Sequence, residues 1–194
     1  MKTIMKFTAI VAFMLTTTVG MAKEPKLNLI VNNETRSLVF VLETQSEETK
    51  IKFLDDQNNI LYSENVSDEV YSKRFDLKKL ENGIYFFTME NALKSITYTL
   101  SVEDEVSSII ESNEVLKPFF RKCDHMIYLN LLNLQKDEVE IKVYDGNLGL
   151  VFEQDLTSET IIEKAFNFKS ASADDYTIVV KNSNGTYYEN IVVN

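Results

Sequence analysis

The chain's one cysteine and one histidine lie two positions apart, in Cys123-Asp124-His125. On a strand, residues i and i+2 share a face, which would aim the thiol and the imidazole the same way. Such a pair supplies half of a structural zinc shell, and no second pair follows at the usual spacing. As nucleophile and base it lacks a third group to orient the imidazole. The segment therefore reads as the start of a strand carrying a semi-buried thiol. Oxygen ligands cluster in Asp55-Asp56-Gln57-Asn58-Asn59. That run lacks the central glycine and closing glutamate of a calcium-binding EF-hand loop, and it reads as a solvated turn. Glu47/Glu48 and Asp137/Glu138 are surface-loop carboxylates. The sequence has no glycine-rich phosphate loop, no serine-nucleophile elbow and no acid pair of the glycoside-cleaving type. No catalytic residue, no metal site and no cofactor is expected.

Two tyrosines have a more definite task. Leu80-Glu81-Asn82-Gly83-Ile84-Tyr85 sets an Asn-Gly pair just before an apolar strand. Asn82 and Gly83 tolerate the positive φ of tight hairpins and read as a turn. In sandwich folds a tyrosine at such a corner packs its ring inward and returns its hydroxyl to nearby backbone. Tyr85 fits that role, as does Tyr176 after Ala173-Asp174-Asp175. With no base or nucleophile partner beside them, both are expected to be structural corner clamps.

The elements that must position these residues repeat. Ile51-Lys52-Phe53-Leu54-Asp55 returns ninety positions later as Ile141-Lys142-Val143-Tyr144-Asp145. Upstream, Leu42, Gln45 and Glu48 align with Leu132, Gln135 and Glu138. Downstream the offset becomes ninety-one, and Phe75, Tyr85, Asn91 and Val102 align with Phe166, Tyr176, Asn182 and Val193. Short runs of alternating apolar and polar residues, rich in β-branched and aromatic types, predict about seven strands per repeat. Turns fall on Asp55–Asn59 and Asp145–Gly149, and on Asn91–Lys94 and Asn182–Gly185. This pattern predicts an all-β fold of two tandem immunoglobulin-like antiparallel β-sandwiches. The repeats span residues 23–103 and 115–194. Between them, residues 104–114 are rich in glutamate and serine and read as an acidic linker, with a short helical turn around Val106, Ile109 and Ile110 as an option.

The strand Ile51–Asp55, the turn after it, the strand Ile60-Leu61-Tyr62, the Leu80-x-x-Gly83-x-Tyr85 approach and the final alternating strand carry a family resemblance. Residues 49–102 resemble the C-terminal sorting domain of type IX secretion cargo and the small secreted bacterial sandwich modules related to it. Residues 139–193 look like a second copy. Neither repeat opens with the Pro-Asn-Pro-like segment usual in that family, and Ile191-Val192-Val193-Asn194 stands where basic residues usually follow the last strand. The resemblance implies a β-sandwich and a role in export.

Residues 1–22 have the layout of a secretory signal peptide. Lys2 and Lys6 precede the apolar run Phe7–Leu15, and Gly20-Met21-Ala22 sets small residues for cleavage after Ala22. The run is too short for a membrane span, and none follows. Removing Lys2 and Lys6 takes the formal charge from −10 to −12. That charge argues against nucleic acid or an anionic membrane as partner, since both would be repelled. One cysteine allows no internal disulfide, so each repeat must hold by burial alone. The reading is a secreted, non-catalytic protein of the periplasm or cell surface that binds or adheres. Its partner would be a protein or a surface glycan. The alternative is a type IX cargo or component whose C-terminal repeat is a sorting signal.

Overall fold

Alternation sends successive side chains to opposite faces of a strand, and the computed structural model follows it. The structure describes residues 26–43, 48–104 and 106–193; the export-signal reading of residues 1–22 lies outside them. Fifteen strands form among the described residues: β1 (Lys26–Asn32), β2 (Ser37–Glu43), β3 (Thr49–Asp55), β4 (Ile60–Val66), β5 (Val70–Asp76), β6 (Gly83–Glu90), β7 (Lys94–Val102), β8 (Ser107–Leu116), β9 (Phe119–Cys123), β10 (Met126–Leu132), β11 (Val139–Tyr144), β12 (Leu150–Leu156), β13 (Ile161–Asn167), β14 (Asp174–Asn182) and β15 (Gly185–Val193). No helix occurs among them, so none is present to cross a membrane.

The strands pair antiparallel into four sheets. A three-stranded sheet, β1-β2-β5, faces a five-stranded sheet, β4-β3-β6-β7-β8, and the two share one core. Likewise β13-β10-β9 faces β12-β11-β14-β15 over a second core. The chain is therefore all-β and built as two antiparallel sandwiches. Strands β1–β7 correspond one to one with β9–β15. The first core is aromatic, with Phe40, Phe53 and Phe87 in ring contact. Pairing registers put Leu129, Val143 and Ile178 at the matching places in the second.

Two corrections concern the middle of the chain. The stretch taken for an acidic linker, residues 104–114, is mostly strand. β8 pairs with β7 from Lys94↔Leu116 to Val102↔Ser107, with a bulge opposite Thr99/Leu100. An edge strand needs few buried residues, and β8 uses two: Ser107 is buried and Ile109 packs against the first core. The Ser107 N–H donates to Asn33 Oδ1 at 2.8 Å, and Lys94 Nζ pairs with Glu114 Oε1 at 2.8 Å. Its other glutamates and serines face solvent, which is why the composition resembled a linker. No helical turn forms there. The second repeat, expected to begin at residue 115, begins later: Val115 and Leu116 close β8, and Phe119 opens β9 after Pro118. Lys117 and Pro118 alone connect the sandwiches. The Lys117 N–H donates to Leu93 O at 2.8 Å, its ammonium donates to Asn91 O at 2.9 Å, and it pairs with Glu90 at 2.6 Å.

The second correction is a slip of one residue in the repeat. Leu42 pairs with Tyr71, and the position matching it opposite Ile162 is Leu131, not Leu132. Leu131 is 3% exposed and Leu132 43%. Burial, which alternates strictly along a strand, selects between two adjacent leucines that a sequence match cannot tell apart.

Candidate interaction edges

Both turns that join matching hairpins are capped by their own aspartate. Asp55 Oδ1 accepts from the N–H groups of Gln57 (3.0 Å) and Asn59 (2.8 Å), and Asp145 Oδ1 from those of Asn147 (3.0 Å) and Gly149 (2.7 Å). The Asn59 side-chain amide adds a bond to Asp55 and is the main cause that holds its carboxyl below the usual range. These carboxylates serve the turn backbone. Among the described residues no group of three or more His, Cys, Asp or Glu is placed to hold a metal ion.

Tyr85 and Tyr176 are buried. The Tyr85 ring stacks on Phe53 at 5.7 Å and its hydroxyl donates to Glu81 O at 2.9 Å. Burial raises its pKa, helped by the charges of Glu81, Asp55 and Asp56. Tyr176 packs on Phe168 at 5.3 Å and donates to Ser172 O at 3.2 Å. Asn82 lies in a bend and Gly83 opens β6 opposite Val102; neither takes positive φ. Left-handed φ occurs instead at other turn residues, among them Asn58 (φ 63°) and Leu148 (φ 61°), matching positions in the two capped turns. Cys123 closes β9 and is exposed rather than semi-buried. His125 does not share its strand. It sits with Asp124 in the turn to β10, and its carbonyl accepts from the Phe168 N–H at 2.8 Å.

Sequence reasoning missed a polar clasp across the open side of the first sandwich. Glu64 on β4 accepts from the hydroxyls of Tyr62 and Tyr71 and from Lys73 at 3.3 Å. The Lys73 ammonium donates to the Tyr62 hydroxyl and stands 4.2 Å from the centre of that ring. The hydrogen bond from Tyr62, then that from Tyr71, hold the Glu64 carboxyl below its ordinary value. Burial drives Tyr71 well above the usual phenol range. Pairing registers place Phe152, Gln154, Ile162 and Lys164 at the equivalent positions of the second sandwich. There the Phe152–Phe166 edge contact (5.4 Å) repeats the Tyr62–Phe75 one (5.2 Å), and no carboxylate is present to gather donors. The period-2 spacings Tyr62-x-Glu64 and Tyr71-x-Lys73 were the available signal, but they lie in different sheets.

The exposed apolar residues concentrate on sheet edges and turn tips. Ile60 and Leu61 open β4; Leu150 (50% exposed) and Val151 (54%) open β12. Each pair sits at a bulge, between Phe53/Leu54 and between Val143/Tyr144. Leu148, at the tip before β12, is 83% exposed. A leucine in the left-handed region costs about 1–2 kcal/mol, whereas asparagine visits it readily, and asparagine occupies the matching turn position at Asn58. Leu148 thus carries strain without contributing burial.

The opposite edges differ. In the first sandwich β7 is covered by β8. In the second, β15 has no such cover among the described residues. At the positions that match Val31 and Tyr98 stand Lys122 and Glu189, paired at 2.7 Å. Charged side chains on an edge are a known protection against unwanted strand pairing. Near it, Phe119, Phe120, Tyr187, Tyr188 and Lys117 line an open cleft of about 450 Å³.

Residues 34–103 match the profile of the secretion system C-terminal sorting domain. The match falls on the first sandwich. No match was found among curated proteins. Among solved structures, the chain is similar to a biofilm-associated protein's BSP domain (12% identity, 87% of this chain and 29% of that chain, TM-score 0.28). It is also similar to a two fibronectin type-III domain segment of chicken tenascin (6% identity, 87% and 98%, TM-score 0.31). A third similarity is to the human OSCAR ligand-binding domain (9% identity, 87% and 97%, TM-score 0.26).

Proposed function

We propose that this is an exported, non-catalytic binding protein made of two sandwich units, β1–β8 and β9–β15, which acts at the cell surface or in the periplasm through edges and turn tips. The observation that carries the reading is the distribution of apolar side chains. Two cores absorb the inward-facing set, and among the large apolar residues left outside, Leu148, Leu150, Val151 and Phe152 follow closely along the turn before β12 and β12 itself, with Ile60 and Leu61 at the matching place on β4. Contiguous exposed apolar surface of this kind is a mark of an interaction site. Tyr85 and Tyr176 act as corner clamps that keep each unit rigid behind those edges. The partner is a protein or a surface glycan.

The test is saturable binding. Fluorophore-labelled mature chain added to intact cells of the source organism should bind and be displaced by excess unlabelled chain. A panel of hydrolase substrates should stay unchanged. Turnover of any substrate, or labelling that never saturates, refutes the reading.

A second reading is favoured by the profile match to residues 34–103: the chain is cargo or a component of type IX secretion. In its C-terminal form the address is the second repeat. Unchanged export after deletion of Leu150–Asn194 would eliminate that form. A reporter fused to residues 34–103 that stays in the periplasm would eliminate an address in the first unit.

A further inference from the structure

From Leu148 we infer a docking point for a basic partner segment, one whose apolar side chains are flanked by lysine or arginine. The inference deepens the binding reading above and rests on it. Leu148 protrudes from the β11–β12 turn at φ 61°, and Leu150 and Val151 continue the apolar surface onto β12. The turn asks for the left-handed backbone here, as it does at Asn58, but not for a leucine to adopt it. The side chain is nearly free of the protein, and the backbone conformation is one that leucine avoids. The matching turn of the first sandwich has Asn58 at φ 63°. The bulge at Val143/Tyr144 interrupts the ladder beside Val151. A bulge re-aims side chains and blunts strand addition, so contact here is made by side chains.

Charge selects the occupant. The turn is built on Asp145, and the Gly146 N–H donates to Asp174 Oδ2 at 3.2 Å, which sets Asp174 at the base of the tip, with Asp175 next in the chain. Gly146 is required for that approach, because a Cβ there would lie 2.3 Å from Asp174 Oδ1. The turn from Asp145 to Val151 carries no lysine or arginine, and the whole chain is strongly acidic at −10. A second copy of the chain would bring the same three carboxylates and be repelled. A segment with cationic flanks is attracted and also covers the leucine.

The probe is a twelve-residue capped peptide of leucine, serine and lysine, titrated against the full mature chain by fluorescence anisotropy. A leucine, serine and glutamate peptide is the control. The lysine peptide should bind, weaken with added salt, and lose tenfold or more affinity to Leu148→Asn, while the control stays unbound. The same variant should melt about 4 °C higher because strain is relieved. Higher stability with weaker binding separates a docking residue from a structural one. Equal affinity of Leu148→Asn and the parent chain overturns the inference, as does equal binding of both peptides or none of either. A concentration-dependent dimer that Leu148→Asn abolishes also overturns it, in favour of self-association. If the peptide fails but labelled chain still binds cells saturably, this site falls and the binding reading stands.

Discussion

Removing one hydroxyl from each corner tests how the sandwiches are braced. In Tyr85→Phe the ring keeps its stack on Phe53, and only the 2.9 Å bond to Glu81 O is lost. A typical intramolecular hydrogen bond contributes about 0.5–1.5 kcal/mol net. Glu81 is exposed, so water can replace the lost donor and the loss should sit in the lower half of that range. Tyr85→Ala also deletes a buried aromatic ring, which costs about 3–5 kcal/mol. The ring should therefore outweigh the hydroxyl by about threefold or more. In the second sandwich the bond to Ser172 O is longer, 3.2 Å, so Tyr176→Phe should lose no more than Tyr85→Phe. The chain has no tryptophan, and urea unfolding can be followed by tyrosine fluorescence and far-UV circular dichroism. A pH series adds a sign. Burial raises the Tyr85 pKa above its ordinary 10.0. Its contribution is full below pH 10 and is lost as pH rises through the folded value. Tyr85→Phe should lack that alkaline component. The corner-clamp reasoning is refuted if Tyr85→Phe destabilises as much as Tyr85→Ala. It is refuted equally if a stably folded Tyr85→Phe loses binding to cells.

Glu64→Gln should flatten the acid limb of the stability curve. The folded carboxyl is depressed below its ordinary 4.5, so its contribution is present above that pH and disappears as pH falls through the folded value; melts at pH 7 and pH 3.5 check this, and an unchanged pH dependence contradicts it. Lys117→Ala should destabilise by about 1–2 kcal/mol, because Glu90 loses the hydrogen bond that most lowers its pKa and Asn91 O loses a donor. Gly146→Ala should also destabilise, since the new Cβ displaces Asp174, and adding Asp174→Ala should recover most of that loss in denaturant titrations. Cys123 should react with a soluble thiol reagent in the native state as fast as in 6 M guanidinium, because it is exposed at the end of β9; marked protection would place it elsewhere.

Much of the scaffold was readable in advance, and the residues show why. Ile51/Phe53 and Ile96/Tyr98/Leu100/Val102 alternate with polar neighbours, and all six turn toward the first core. The misreadings occur where that local signal is weak or degenerate. β8 buries only Ser107, with Ile109 partly buried against the first core, so it reads as solvated chain. Leu131 and Leu132 are identical in type, so only the pairing with Ile162 settles which is inside. Asn82-Gly83 carries a turn signal, yet the chain turns there without positive φ. The Glu64 clasp joins β4 of one sheet to β5 of the other, and nothing in either strand alone announces the meeting.

By itself, then, the sequence determined the strand-built class, the duplication and the inward or outward sense of most side chains, because a two-residue period is a property of neighbouring positions. Tertiary structure alone decided which edges are covered. It places β8 over β7, sets the Lys122–Glu189 pair at the matching open edge, and leaves Leu148 uncovered at its tip. Those outcomes depend on pairings between segments far apart in the chain, where solvent exposure is settled by what else arrives and not by the residues on either side.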